Sequence, residues 1–150
     1  MNGLTVTRLL DGRVLVVGGS TGVLNGDQPP SPLQSIVIWD PATSGFTPAG
    51  SLGFGRERHS ATLLPDGRVL VVGGVGARVP GQPDPVFAMA EIWDPTTGGV
   101  ADAGVSASNR SLHTATLLAD GRVLVTGGFT RYTQDAEIAD ETASAEIWGR

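Results

Sequence analysis

Asp11-Gly12-Arg13-Val14-Leu15-Val16-Val17-Gly18-Gly19 is the stretch whose reading decides the fold, because it returns twice. Its copies stand at Asp66–Gly74 and Asp120–Gly128, 55 and 54 residues apart. A second landmark keeps the same period: Ile38-Trp39-Asp40-Pro41, then Ile92-Trp93-Asp94-Pro95, then Ile147-Trp148. Two landmarks in phase over three copies define a repeat protein, and a period of roughly 50 residues lies in the range of propeller blades.

Working outward from the first copy, Leu4–Leu10 and Arg13–Val17 are apolar, β-branched runs separated by Asp11-Gly12. Asp-Gly between two such runs predicts a hairpin with a two-residue type I′ turn. The runs are nearly continuous in apolar residues, which predicts strands buried on both faces. Residues 20–34 hold three prolines and an Asn-Gly pair, which predict a long loop without regular structure. A third strand is expected at Ser35–Asp40, ended by Pro41, and a short fourth at Phe46–Ala49. The second copy repeats the plan with strands at His59–Leu64, Arg68–Val72, Met89–Asp94 and Gly99–Ala103. The third has strands at His113–Leu118, Arg122–Thr126 and Ser144–Trp148, with no fourth. Thr133–Ala145 is rich in Ala and acidic residues but has a poor apolar stripe, so a loop is expected there rather than a helix.

The chain therefore reads as one all-β domain, residues 1–150, of three blades at 4–50, 59–104 and 112–148. A sheet this small cannot cover both its faces, so blades stack about an axis. Alternating strand direction puts the tight turns on one face. It puts the long loops 20–34, 75–88 and 129–143 on the other, together with the links between blades. Long divergent loops on a repeating scaffold mark the expected binding face.

Composition removes several classes of function. Gly is 22 and Pro 10 of 150 residues, placed at repeating turn positions as an all-β chain needs. All ten basic residues are Arg, and the net charge of −5 argues against a nucleic-acid surface or adhesion to anionic lipid. The absence of Cys excludes disulfides, thiolate metal sites and Cys nucleophiles. No apolar run is long enough to span a membrane, and the N-terminus lacks the pattern of a signal peptide. The compartment stays open.

His59-Ser-Ala-Thr-Leu-Leu-Pro-Asp-Gly-Arg-Val-Leu-Val-Val-Gly-Gly74, followed by Ala90-Glu-Ile-Trp-Asp-Pro-Thr-Thr-Gly98, resembles a kelch repeat of the galactose-oxidase-like type. The residues that carry the resemblance are the glycine pairs Gly18-Gly19, Gly73-Gly74 and Gly127-Gly128, and the aromatic Trp39, Trp93 and Trp148. The resemblance implies a kelch-type β-propeller, here a half or partial one, because such propellers have four to eight blades. It implies no single activity, since the fold serves enzymes and binding proteins alike. Three readings follow. The first is a non-enzymatic module for protein or glycan binding that pairs with itself, a homodimer closing a six-bladed ring. The second is a galactose-oxidase-like enzyme or enzyme fragment. The third is a scaffold-only half propeller or a piece of a larger one. Galactose oxidase holds copper through two Tyr and two His, one Tyr being joined to a Cys. One Tyr, two His and no Cys in this chain disfavour that chemistry, and no cofactor is expected.

Several residues qualify for a site. Arg56 and Arg110 recur in the links between blades, three residues before each His, and could clasp a carboxylate bidentately or bridge two blades. Arg78, Arg131 and Tyr132 stand in the long loops as further ligand-binding candidates. His59 and His113 share one repeat position, where the first copy has Leu4. They are weak metal candidates, and side chains bonded to the neighbouring blade's backbone are the expectation. Asp135 and Glu137, with Asp140 and Glu141, form an acidic loop without the spacing of a calcium-binding one. Arg13, Arg68 and Arg122 repeat in every copy, which predicts a scaffold role in which they pair with the acid before the third-strand Trp where one exists, Glu91 and Glu146, the first copy having Val37 there.

Overall fold

A computed structural model describes residues 2–21, 31–79, 82, 84–131 and 140–149. The chain is all-β, and no helix occurs among the described residues. Three antiparallel sheets follow one another as the blades of a partial propeller. Blade 1 pairs β1 (Thr5–Arg8), β2 (Val14–Val17), β5 (Ser35–Asp40) and β6 (Gly45–Ser51) in that order. Blade 2 pairs β7 (Ser60–Leu63), β8 (Val69–Val72), β9 (Met89–Trp93) and β10 (Val100–Val105). Blade 3 has β11 (Thr114–Leu117), β12 (Val123–Thr126) and β15 (Ala145–Trp148). Two short ladders, β3 (Ser20–Thr21) with β4 (Ser31–Pro32) and β13 (Phe129–Arg131) with β14 (Asp140–Glu141), close the bases of the first and third long loops. The prolines of residues 20–34 predict a loop without pairing, and the ladder at its base departs from that. Pro32 fits because it sits at the end of a two-residue strand, where the missing N–H costs little.

The hairpin turn differs from the expected type. Leu9 N donates to Arg13 O at 2.8 Å and Gly12 N to Leu9 O at 3.1 Å, enclosing a three-residue loop. Gly12 has φ 89°, while Asp11 is not among the residues of positive φ. The turn is thus of the type I form closed by a left-handed glycine, and the same bonds recur at Leu64–Arg68 and Leu118–Arg122. Asp11 Oδ1 accepts from Arg13 N at 3.0 Å, which is why Asp precedes the glycine.

The core lies between blades rather than within them. Leu15, Val17, Ile36 and Ile38 of blade 1 meet Val69, Val71 and Trp93 of blade 2. Leu70, Val72 and Ala90 on the other face of blade 2 meet Val123 and Val125 of blade 3. Each blade therefore has a trailing face toward the next blade and a leading face toward the previous one. All four residues of β8 are buried, whereas β2 alternates between buried and half-buried. Burial on both faces, expected for the first and second strands of each blade, holds for β8 alone, which has a blade on either side; the first strands β1, β7 and β11 are half-buried or exposed.

The paired glycines have a packing reason. A Cβ on Gly73 would stand 2.3 Å from Arg110 O and 3.0 Å from His113 Cε1, so the link to blade 3 lies directly on it. A Cβ on Gly74 would stand 2.7 Å from Glu57 O, in the link that enters its own blade. Both also have positive φ, 64° and 98°. The links themselves form a backbone ladder: Arg58 N donates to Gly3 O at 2.8 Å, and Leu112 N to Arg58 O at 3.0 Å.

Candidate functional site

The junctions between blades gather most of the buried polar residues. Arg56 leaves the link after blade 1 and enters blade 2, where its side chain is fully buried. Its Nη1 donates to Gly73 O at 2.9 Å and Met89 O at 3.3 Å, and its Nη2 donates to Glu91 Oε2 at 2.5 Å. Glu91 Oε1 accepts from Gly53 N at 2.7 Å, and Phe87 stacks on the guanidinium at 5.2 Å. Arg110 repeats this in blade 3. It donates to Gly127 O at 3.2 Å, to Ser144 Oγ at 3.2 Å and to the Glu146 carboxylate, which also accepts from Ala107 N at 2.9 Å. The carboxylates sit on their blades' third strands opposite Val71 and Val125, each turned toward the link from the preceding blade.

This corrects the placement of Arg56 and Arg110 on a loop-facing rim. Both are 0% exposed, and of the two roles weighed for them, the geometry is that of the blade bridge. It also corrects the pairing of Arg13, Arg68 and Arg122. Each binds the aspartate of its own turn, Asp11, Asp66 or Asp120, with Nε to Oδ2 at 2.7 Å. Proximity along the chain wins because those three arginines lie at the exposed turn end, while Glu91 and Glu146 point into the junctions.

His59 and His113 make a second repeated contact. His59 Nε2 bonds Thr5 Oγ1 of blade 1 at 2.9 Å, and His113 Nε2 bonds Ser60 Oγ of blade 2 at 2.8 Å. The expectation of a bond to the neighbouring blade holds, with a hydroxyl rather than backbone as partner. Burial, with Arg56 and His113 nearby, pushes His59 down to about 3. Burial and the adjacent Arg110 push His113 down to about 4. Both rings are neutral at pH 7, and their Nδ1 atoms lie buried with no partner among the described residues. Among the described residues no three His, Cys, Asp or Glu side chains gather as metal ligands. The two imidazoles belong to different junctions, and each is engaged by a hydroxyl of the preceding blade.

On the loop face, Arg78 is exposed and stands 3.6 Å from the buried Asp84. Arg131 is exposed at the end of β13. Tyr132, Asp135 and Glu137 lie outside the described residues. Asp140 and Glu141 form β14, with both residues exposed. One buried contact there was not anticipated from sequence. Ser20 donates to the Glu57 carboxylate, tying the first long loop to the next link. Neither residue recurs at its repeat position, which is Val75 and Phe129 for Ser20 and Asn2 and Ser111 for Glu57, so periodicity gives no signal for it.

The chain is similar to galactose oxidase. Two galactose oxidase sequences of Gibberella zeae, one from strain PH-1, are each 32% identical to it over 121 residues. The match takes in 78% of this chain and 18% of the relative, so the chain spans under a fifth of the length of the curated relatives it matches. No protein-family model matches the chain.

Proposed function

We propose that this chain is a kelch-type partial propeller of the galactose-oxidase-like family that works as a binding module, and that it completes its ring by pairing with a second copy. The observation that carries the reading is the pair of uncovered sheet faces. Phe46 and Val6 on blade 1 are 65% and 62% exposed, and Ile147 on blade 3 is 51% exposed. Their equivalents within the chain sit in the two inter-blade cores. Apolar faces of this extent are covered in a soluble assembly. Two three-blade units give six blades, within the range of closed propellers. The ligand, a protein or a glycan, meets the face of long loops, where the exposed Arg78 and Arg131 offer charge.

Absolute mass by light scattering on a sizing column tests the assembly. A particle of twice 15.4 kDa is expected; a stable monomer defeats the reading. The oxidase alternative predicts stoichiometric copper in the purified protein, lost on mutation of His59 and His113. That result would replace the binding module with an enzyme.

A further inference from the structure

The leading face of blade 1 and the trailing face of blade 3 differ from the internal faces in a matched way. At each internal junction a histidine of the later blade bonds the first hydroxyl of the earlier blade's inner strand: His59 to Thr5, and His113 to Ser60. Blade 1 has Leu4 where those histidines stand. A blade docked before it would therefore present a hydroxyl with no histidine to meet it. Blade 3 has removed that demand. Thr114, the equivalent of Thr5 and Ser60, bonds Thr126 Oγ1 of its own blade at 2.8 Å. Thr126 in turn occupies the place of Val17 and Val72, as the strand registers show. The hydroxyl that internal junctions satisfy across blades is satisfied here within one.

The second contact changes in the same direction. The internal junctions pair a carboxylate, the buried Glu91 or the half-buried Glu146, with a fully buried arginine carried by the link. At a seam between separate chains no link runs from blade to blade, and an acid there would be buried without its cation, at high cost. Blade 1 has Val37 at that place, opposite Val16 as Glu91 is opposite Val71. The result is a groove of about 510 Å³ walled by Leu4, Val6, Val16, Val37 and Phe46. Facing it in a head-to-tail arrangement would be Leu124, Thr126 and Ile147, in the positions by which Leu15, Val17 and Ile38 cover blade 2.

We infer that the leading face of blade 1 seats on the trailing face of blade 3 of a second copy, through an apolar seam that lacks both polar contacts of the internal junctions. Both halves of the adaptation lie in one chain, which is why the occupant is a second copy. An unrelated partner would need only one adapted face. Two such heterologous seams related by a two-fold axis close a ring. The inference rests on the ring-completing reading above and adds to it the faces, their register and their chemistry.

The internal junction supplies the test. Thr7 Oγ1 of blade 1 lies 3.4 Å from Ala61 O of blade 2. The same repeat positions across the seam are Thr116 of one copy and Val6 of the other. The chain has no Cys, so any disulfide is an engineered one. Oxidised V6C/T116C is expected to run as a covalent dimer on a non-reducing gel, with no higher ladder, while T7C/A61C closes within one chain and migrates as a monomer. If T7C/A61C closes, the unmutated protein is a dimer and V6C/T116C gives no crosslink, the seam lies elsewhere and the inference falls, although pairing stands. A ladder of multimers means an open assembly and also overturns it. A monomeric unmutated protein removes the pairing itself. Val37→Glu provides a second measurement: with the fold retained by circular dichroism, the dimer is expected to dissociate at least ~100-fold more readily, from the cost of an unpaired buried carboxylate. Unchanged dimerisation of that variant counts against the seam.

Discussion

Acidification from pH 8 to pH 5 should destabilise the protein through two side chains. His59 and His113 are held neutral in the folded state down to about pH 3 and about pH 4, against an ordinary value of 6.5. The unfolded chain takes up protons near pH 6.5 and the folded chain does not, so stability is full above that pH and falls as pH drops through it. At pH 5 each histidine binds a proton in the unfolded state, about 1.5 pH units below its ordinary value, and almost none in the folded state. At ~1.36 kcal/mol per pH unit this is about 2 kcal/mol for each and about 4 kcal/mol for both. Hydrogen bonds from neighbouring arginines hold Asp66 and Asp120 below the ordinary aspartate value of 3.8, outside this window. Urea unfolding at fixed protein concentration, at pH 8, 6.5 and 5, reads the loss directly. His59→Leu is a suitable variant because Leu4 already fills that repeat position in blade 1. His59→Leu or His113→Leu should each halve the loss, and the double variant should abolish it. A double variant that still loses about 4 kcal/mol would refute the reasoning, since the protons would then bind elsewhere.

Three further outcomes are expected. Glu91→Gln leaves Arg56 buried without its counter-charge and should cost about 3–5 kcal/mol in urea unfolding, whereas Arg13→Ala, at an exposed turn, should leave the urea midpoint within error; equal costs would mean the junction bridge is no more important than the turn pairs. Gly73→Ala should unfold the blade 2–blade 3 junction, because its Cβ would meet Arg110 O at 2.3 Å, while Gly12→Ala, with open space around it, should cost only the roughly 1 kcal/mol of its positive φ; thermal melts of the two variants compare them. Raising salt from 0.1 to 1 M should leave the dimer intact on a sizing column, as an apolar seam requires; salt-driven dissociation would point to ion pairs instead.

Repeat period, glycine pairs and strand order were legible because each is written at the same offset in every copy. Position along the repeat was enough to place the four strands of blades 1 and 2 and the three of blade 3. The turn type was not legible, since Asp-Gly is compatible with two hairpin geometries and the one adopted leaves Asp11 to cap Arg13. The role of Arg56 and Arg110 was visible only as two alternatives. Sequence spacing showed that they recur in the links, but whether a link arginine turns outward or inward depends on where the next blade's third strand brings its carboxylate. That strand lies 35 or 36 residues further on, and only packing brings the two together. The sequence by itself determined the repeat period and the apolar character of the strands, because nearly continuous apolar runs return at the same offset in every copy and need no knowledge of neighbours. Tertiary structure alone decided which hydroxyl meets which histidine and which faces stay uncovered, because those depend on contacts between blades some 54 residues apart.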